Sequence, residues 1–285
     1  MKFAKAMEKA RSQNLRVRVD GVQRPWRDDR PPRRAGEGRG APVYGISRSC
    51  EPDPAALEEN RCVCFTEDAP ELDCYKMLRA QIMRYTKVKG WNTLMITSAL
   101  PGEGKTVTAI NLAMTFAKAY DQTVRLVDCD LRQQKVYRYM GIASNLGIVD
   151  HLVGGHSLNE MIIWPGIAKM TMISGGRTVN ESAELLGSAR MRAMVEEMKA
   201  RYSDRYILLD APPILSGADA LTLSSLADGL FMVVEAARTP LKEIQEALDL
   251  MPRDKFLGFV LNKHSGEKNS YYRYYGDRSK GREGR

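Results

Sequence analysis

Residues 93–120 read TLMITSALPGEGKTVTAINLAMTFAKAY, and three kinds of local structure succeed one another within them. Thr93–Ser98 is a short run of apolar and β-branched residues, too brief for a helix and closed by a proline- and glycine-bearing stretch, so it reads as a buried strand. Pro101, Gly102 and Gly104 then interrupt any regular element. From near Lys105 onward, Ala109, Leu112, Ala113, Phe116 and their neighbours make a good helix. A strand, a glycine loop and a helix in that order are the setting a phosphate-binding loop requires. Gly102 and Gly104 let backbone N–H groups turn inward around phosphate oxygens, and the helix offers its positive N-terminal end. Lys105 can reach β- and γ-phosphates, and the Thr106 hydroxyl can bind Mg²⁺. The plainer alternative, an ordinary glycine turn before a helix, leaves Gly-Lys-Thr at that point unexplained. One position departs from the pattern G-x-x-x-x-G-K-S/T: Ala99 stands where the first glycine is expected.

Five further runs share the character of the first: TVRLVD (123–128), KMTMIS (169–174), RYILLD (205–210), GLFMVVE (229–235) and FLGFVLN (256–262). Helix-like segments separate most of them. Strands that are apolar on both faces and spaced by crossovers belong to a parallel sheet covered on both sides. The expected fold is therefore α/β, a doubly wound, mostly parallel sheet of a P-loop NTPase, with disordered basic N-terminal and C-terminal tails. Ahead of it, ELDCYKMLRAQIMRY (71–85) repeats apolar residues at Leu72, Tyr75, Leu78, Ile82 and Tyr85, an amphipathic helix, so order is expected to begin near Pro70. The expected organisation is a basic, Pro/Gly-rich extension over 1–54, the domain over 55–265 and a tyrosine-rich tail over 266–285.

In a sheet of this kind ligands bind at the carboxyl ends of the strands. Two ends besides the glycine loop carry acids. VRLVDCDLR finishes with Asp128 and Asp130, and YILLDAPP finishes with Asp210, in the position of an acid that orients a Mg²⁺-bound water. A lone acid after a strand is ordinarily a cap or turn residue. Three acids and a phosphate loop on one sheet edge are a site.

Charge is unevenly spread. The formal net charge is +8, yet residues 1–49 hold 13 Lys/Arg against 5 Asp/Glu, residues 263–285 hold 7 against 3, and the segment between is net negative. This argues against a nucleic-acid groove on the body, and no nucleic-acid partner is expected. Flexible basic arms would touch anionic lipid or an acidic partner, or merely solubilise the chain. MKFAKAMEKA (1–10) sets Phe3, Ala6, Met7 and Ala10 at helical spacing, a short amphipathic helix that would dock on a membrane surface or fray alone. The five cysteines contain no C-x-x-C pair, so neither a zinc site nor a disulfide framework is indicated, and reduced thiols in a cytoplasm fit. No apolar run reaches the roughly 20 residues of a membrane span. Near the end, NSYYRYYGDRSKGREGR (269–285) crowds Tyr271, Tyr272, Tyr274 and Tyr275 into a basic stretch with no apolar partner to pack against.

These residues together resemble the bacterial tyrosine kinases of the capsule and exopolysaccharide system, which phosphorylate themselves on a C-terminal tyrosine cluster. The resemblance covers about 70–275. It rests on ALPGEGKT as Walker A, LVDCDLR as the family's additional A′ motif, ILLDAPP as Walker B, NESAELLGSARM, similar to the family's N-P-S-E-L-L-S-S segment, and the terminal YYRYY. The rival is the ParA/MinD group of ATPases, whose signature lysine lies two residues before Gly102; Leu100 occupies that place here.

The resemblance implies an ATP- and Mg²⁺-dependent protein-tyrosine autokinase. It implies nucleotide contacts from Gly102, Glu103, Gly104, Lys105, Thr106 and Val107, and metal binding by Thr106, Asp128, Asp130 and Asp210, directly or through water. Lys105, Asp128 and Asp130 would carry catalysis, with Asp128 taking or orienting the tyrosine proton. Tyr271, Tyr272, Tyr274 and Tyr275 would be the acceptors. Asn262 matches a position that contacts adenine, though a strand-end Asn is equally a turn residue. Asp73, Lys76 and Arg79 stand where the family's oligomerisation helix carries E-x-x-R-x-x-R, so a homo-oligomer, in ring form, is implied. A separate transmembrane polysaccharide copolymerase is the expected activator, and a cytoplasmic enzyme recruited to the inner face of the plasma membrane is the expected location.

Overall fold

In a computed structural model of the chain, residues 48–264 are described, apart from 67, 68, 70 and 145. The strands are β1 (Arg48–Ser49), β2 (Thr93–Ser98), β3 (Thr123–Asp128), β4 (Ile163–Trp164), β5 (Met170–Ile173), β6 (Arg205–Asp210), β7 (Gly229–Glu235) and β8 (Phe256–Asn262). The helices are α1 (Pro54–Glu59), α2 (Leu72–Lys89), α3 (Lys105–Ala117), α4 (Val136–Tyr139), α5 (Ile148–Gly154), α6 (Leu158–Met161), α7 (Ser182–Leu186), α8 (Ala189–Arg201), α9 (Ala218–Ser224) and α10 (Leu241–Leu250).

One sheet runs β1-β4-β5-β3-β6-β2-β7-β8, and every neighbouring pair is parallel except β4–β5. All six runs read as strands form strands. Alternation along them feeds two cores. Met95, Val127, Ile207, Leu209, Leu230 and Met232 face the layer of α5–α10. Leu94, Ile96, Val124, Leu126, Leu208, Phe231 and Val233 face the layer of α1–α4. A parallel sheet needs both covers because each face carries branched apolar side chains.

Local chemistry sets the helices. Gly90 ends α2 in the left-handed region at φ 66°, its N–H turning back to the carbonyls of α2's last turn. Ser188 caps α8 through its hydroxyl to Met191 N–H, and Met191, Met194, Val195 and Met198 form the buried stripe of that helix. Within α2, Tyr85 is exposed and Thr86 is buried instead, donating to Ile82 O and pairing with Tyr206 Oη at 2.8 Å. The apolar period pointed one position away from the residue that meets the sheet.

Order begins earlier than Pro70. Arg48–Ser49 pairs with β4, Asp53 caps α1 with Pro54 in its first turn, and Leu57 is wholly buried. The Arg- and Pro-rich composition of this stretch hid a two-residue strand and a short helix. Residues 1–47 and the tyrosine cluster lie outside the described residues.

Candidate active site

Strand order builds the site. β3, β6 and β2 are consecutive in the sheet and parallel, so their carboxyl ends emerge side by side. Asp128 faces Asp210 across the β3–β6 pair, and Ile96 faces Asp210 across β6–β2. The two acid-bearing ends therefore lie next to each other on one side of the glycine loop, a consequence of strand order and register.

Within the loop, Gly102 and Gly104 have φ of 86° and 95°, a conformation that strains any L side chain. A Cβ on Gly104 would overlap the Asn262 amide, which donates to Glu103 O at 2.8 Å. Ala99, the departure from the motif, is fully buried within the α5–α10 core, where its methyl is packing rather than an obstruction. The Glu103 carboxylate folds beneath the loop, accepting from Leu100 N–H at 2.7 Å and from the Thr239 hydroxyl. Lys263 donates to Gly102 O at 2.7 Å and pairs with Glu235 at 2.9 Å. Thr239, Glu235 and Lys263 lie more than a hundred residues from the loop they hold, and no local pattern marks them.

Lys105 and Thr106 start α3 against the acids. Lys105 Nζ lies 2.9 Å from Asp130 Oδ2 and 3.9 Å from Asp210 Oδ1. Thr106 Oγ1 donates to Asp210 Oδ2 at 2.7 Å. Asp210 is fully buried, and its Oδ1 accepts no hydrogen bond, so it holds an ion-pair contact only. Burial pushes the Asp210 carboxyl above the usual carboxylate range, opposed by Lys105 and Thr106. Burial likewise opposes the Lys105 charge, but Asp210 and Asp130 outweigh it and hold the ammonium above its ordinary value.

Asp128 sits behind this front, wholly buried. Its two oxygens accept from Asp130 N–H at 3.2 Å and Val136 N–H at 3.0 Å. Burial raises its carboxyl well above the carboxylate range, and the nearby Asp210 adds to that. Arg132, just past the acids, reaches Ser182 Oγ at 2.9 Å and Asp219 Oδ2 at 3.2 Å, joining the A′ loop to α7 and α9. Asp219 carried no signal in the sequence. Val107 occupies the first turn of α3, half-buried, its carbonyl accepting from Asn111.

The expected residues of the phosphate loop, the A′ pair, Asp210 and Asn262 thus meet at one end of the sheet. The family model described as an AAA domain matches residues 92–252. Tyrosine-protein kinase YwqD of Bacillus subtilis (strain 168) is 32% identical over 204 residues, 71% of this chain and 85% of the relative. The chain belongs to the bacterial tyrosine-protein kinase family. Tyrosine-protein kinase CpsD of Streptococcus agalactiae is 30% identical over 66% of this chain and 83% of its own length. The kinase domain of Escherichia coli tyrosine kinase ETK superposes with a TM-score of 0.62 at 25% identity, covering 69% of this kinase and 78% of that chain. The septum site-determining protein MinD of Pyrococcus horikoshii, solved with Mg-ADP, shares the fold at a TM-score of 0.51 and 20% identity, over 64% of this chain and 76% of its own.

This kinase differs from the family pattern along α2. Lys76 pairs with Asp73 at 2.8 Å within the helix, both exposed, and Arg79 turns inward to donate to Thr115 O on α3. Among the described residues no helix is long and apolar enough to cross a membrane.

Proposed function

We propose that this kinase uses Mg²⁺-ATP to phosphorylate Tyr271, Tyr272, Tyr274 and Tyr275 of a neighbouring copy, and that it thereby regulates capsule or exopolysaccharide polymerisation or export. The observation that carries the reading is the set of Lys105, Thr106, Asp130 and Asp210 around a left-handed glycine loop. Bound Mg²⁺-ATP supplies the transferable phosphoryl group and neutralises its charge. The chain fits both components. The loop's N–H groups and the start of α3 suit phosphate oxygens, and the unbonded Asp210 Oδ1 beside the Thr106 hydroxyl suits a cation.

Lys105 binds and orients phosphate once released from Asp130. Asp130 pairs with Lys105 while Asp128 is held by the A′ backbone, so Asp128 orients the acceptor hydroxyl through the A′ loop, or takes its proton after giving up one N–H bond. A tyrosine hydroxyl has a pKa near 10, so positioning contributes more than proton removal. Asn262, held against Glu103 by its amide N–H, keeps its oxygen for the adenine amino group.

The remaining parts of the proposal are a basic arm ahead of the kinase body, the body itself to about residue 265, and an acceptor tail over 266–285. Self-association presents that tail to a neighbour, and a separate transmembrane copolymerase recruits the kinase to the inner face of the plasma membrane. Leu100 in place of a signature lysine weighs against a MinD-like positioning ATPase despite the shared fold.

The test is purified full-length protein with ATP and Mg²⁺, mapped for phosphotyrosine by mass spectrometry beside a chain lacking residues 270–285 and a Lys105→Met variant. Phosphate confined to residues 271–275 and missing from Lys105→Met is expected. Phosphotyrosine on Lys105→Met purified alone would rule out the autokinase, and ATP hydrolysis without phosphotyrosine selects the positioning ATPase.

A further inference from the structure

Glu103 is the one acid inside the phosphate loop, and it is buried. Its carboxylate collects three donors: Leu100 N–H at 2.7 Å, Glu235 N–H at 3.4 Å and the Thr239 hydroxyl. The Thr239 hydroxyl also accepts from Glu235 N–H at 3.1 Å, so it joins the end of β7 to the loop. Thr239 N–H returns to Glu235 O at 3.2 Å and closes a tight turn, in which Ala237 holds φ 57°. The turn thus delivers one hydroxyl to one buried carboxylate, and bonds to a charged group are the strong ones.

The bonds made by β8 act on the same segment. Lys263 holds Gly102 O and Asn262 holds Glu103 O. In a trans peptide the C=O and the following N–H point to opposite sides. Holding the carbonyls of Gly102 and Glu103 therefore aims the N–H groups of Glu103 and Gly104 away from the β7–β8 side. All these braces come from β7, β8 and the turn between β7 and α10, whereas Asp128 and Asp210 end β3 and β6, on the other side of β2.

We propose that Thr239 is a positioning residue for nucleotide binding, acting through the Glu103 carboxylate to keep the loop in its phosphate-binding conformation. Glu103 then serves the nucleotide by fixing the loop's backbone, with its side chain committed to the brace. The role presupposes the ATP-dependent kinase reading and adds to it a division of labour across β2. The β7–β8 side sets ATP affinity and the β3–β6 side sets the rate of transfer.

The experiment compares full-length wild type, Thr239→Val, Thr239→Ser, Glu103→Ala and the double variant Thr239→Val/Glu103→Ala. It reads Kd for a fluorescent ATP analogue, kcat and KM for ATP in tyrosine phosphorylation and in hydrolysis, and melting temperature. In Thr239→Val, Kd and KM rise about tenfold, as for a loop that is competent about a tenth of the time, while kcat at saturating ATP stays within about threefold. Thr239→Ser keeps the hydroxyl and binds within about threefold of wild type. The double variant binds no more weakly than Glu103→Ala, because the hydroxyl acts through that carboxylate. An unchanged Kd in Thr239→Val overturns the proposal. So does an equal loss in Thr239→Ser, a fall in kcat without a rise in Kd, losses that add in the double variant, or a Kd that weakens only in step with melting temperature. Wild type that binds the analogue but modifies no tyrosine fails the kinase reading alone, and Thr239 is still judged on Kd.

Discussion

Gly102 and Gly104 share a backbone conformation but not an environment. A Cβ at Gly102 meets nothing within 4 Å, whereas at Gly104 it would strike the Asn262 amide that braces the loop. Gly102→Ala should therefore cost roughly 1 kcal/mol of strain. Gly104→Ala adds steric displacement, for about 2–3 kcal/mol in all, and weakens ATP binding tenfold or more. Paired thermal melts and nucleotide titrations separate the two. Asp210 gives a pH signature. Its folded carboxyl titrates above its unfolded value, so the native state holds the proton longer. Its contribution to stability is full below the unfolded value, near 4, and is lost as pH rises through the folded value. Asp210→Asn removes that titration, and its melting temperature relative to wild type should climb as pH rises above the unfolded value; a flat difference would show that Lys105 cancels the burial. The same residue, read in the sequence as a strand-end acid, gave no hint of its isolation, because burial and an unbonded oxygen are products of three strands meeting.

At the scale of elements, the six long strands and the helices α2 and α3 were legible because each carries its own period or composition. β1, β4 and α1 were not, since two-residue strands have no period and α1 is six residues in an Arg- and Pro-rich stretch. Their importance is nonetheless testable. Leu57→Ala empties a fully buried position in the α1–α4 core and should cost about 2–4 kcal/mol with ATP affinity unchanged, as read by chemical denaturation beside nucleotide titration. The A′ loop shows the complementary limit: its acids stand out in the sequence, but that Asp128 spends both oxygens on backbone N–H groups depends on how residues 129–136 curl back. The charged face of α2 was legible as charge, whereas the pairing of Lys76 with Asp73 and the turn of Arg79 toward Thr115 O depend on how α2 folds and packs on α3.

Across the whole molecule, charge is divided between an acidic-leaning body and basic ends. Four phosphates at about −1.5 to −2 charges each would carry residues 263–285 from +4 to roughly −2 to −4. Fully phosphorylated protein should elute later from an anion exchanger than Lys105→Met and bind anionic vesicles less tightly; identical behaviour of the two would leave the tail without an electrostatic role. The sheet ends on β8, paired with β7 alone among the described strands, with Phe259 and Leu261 largely exposed. Terminal strands open by local fluctuation at lower free energy than central ones. Asn262 and Lys263, which steady the carbonyls of Glu103 and Gly102, sit at the far end of that strand. Fraying at the sheet's margin would therefore release two of the bonds that hold the phosphate loop, and tension on the segment beyond residue 264 would be transmitted to the loop within one hydrogen bond.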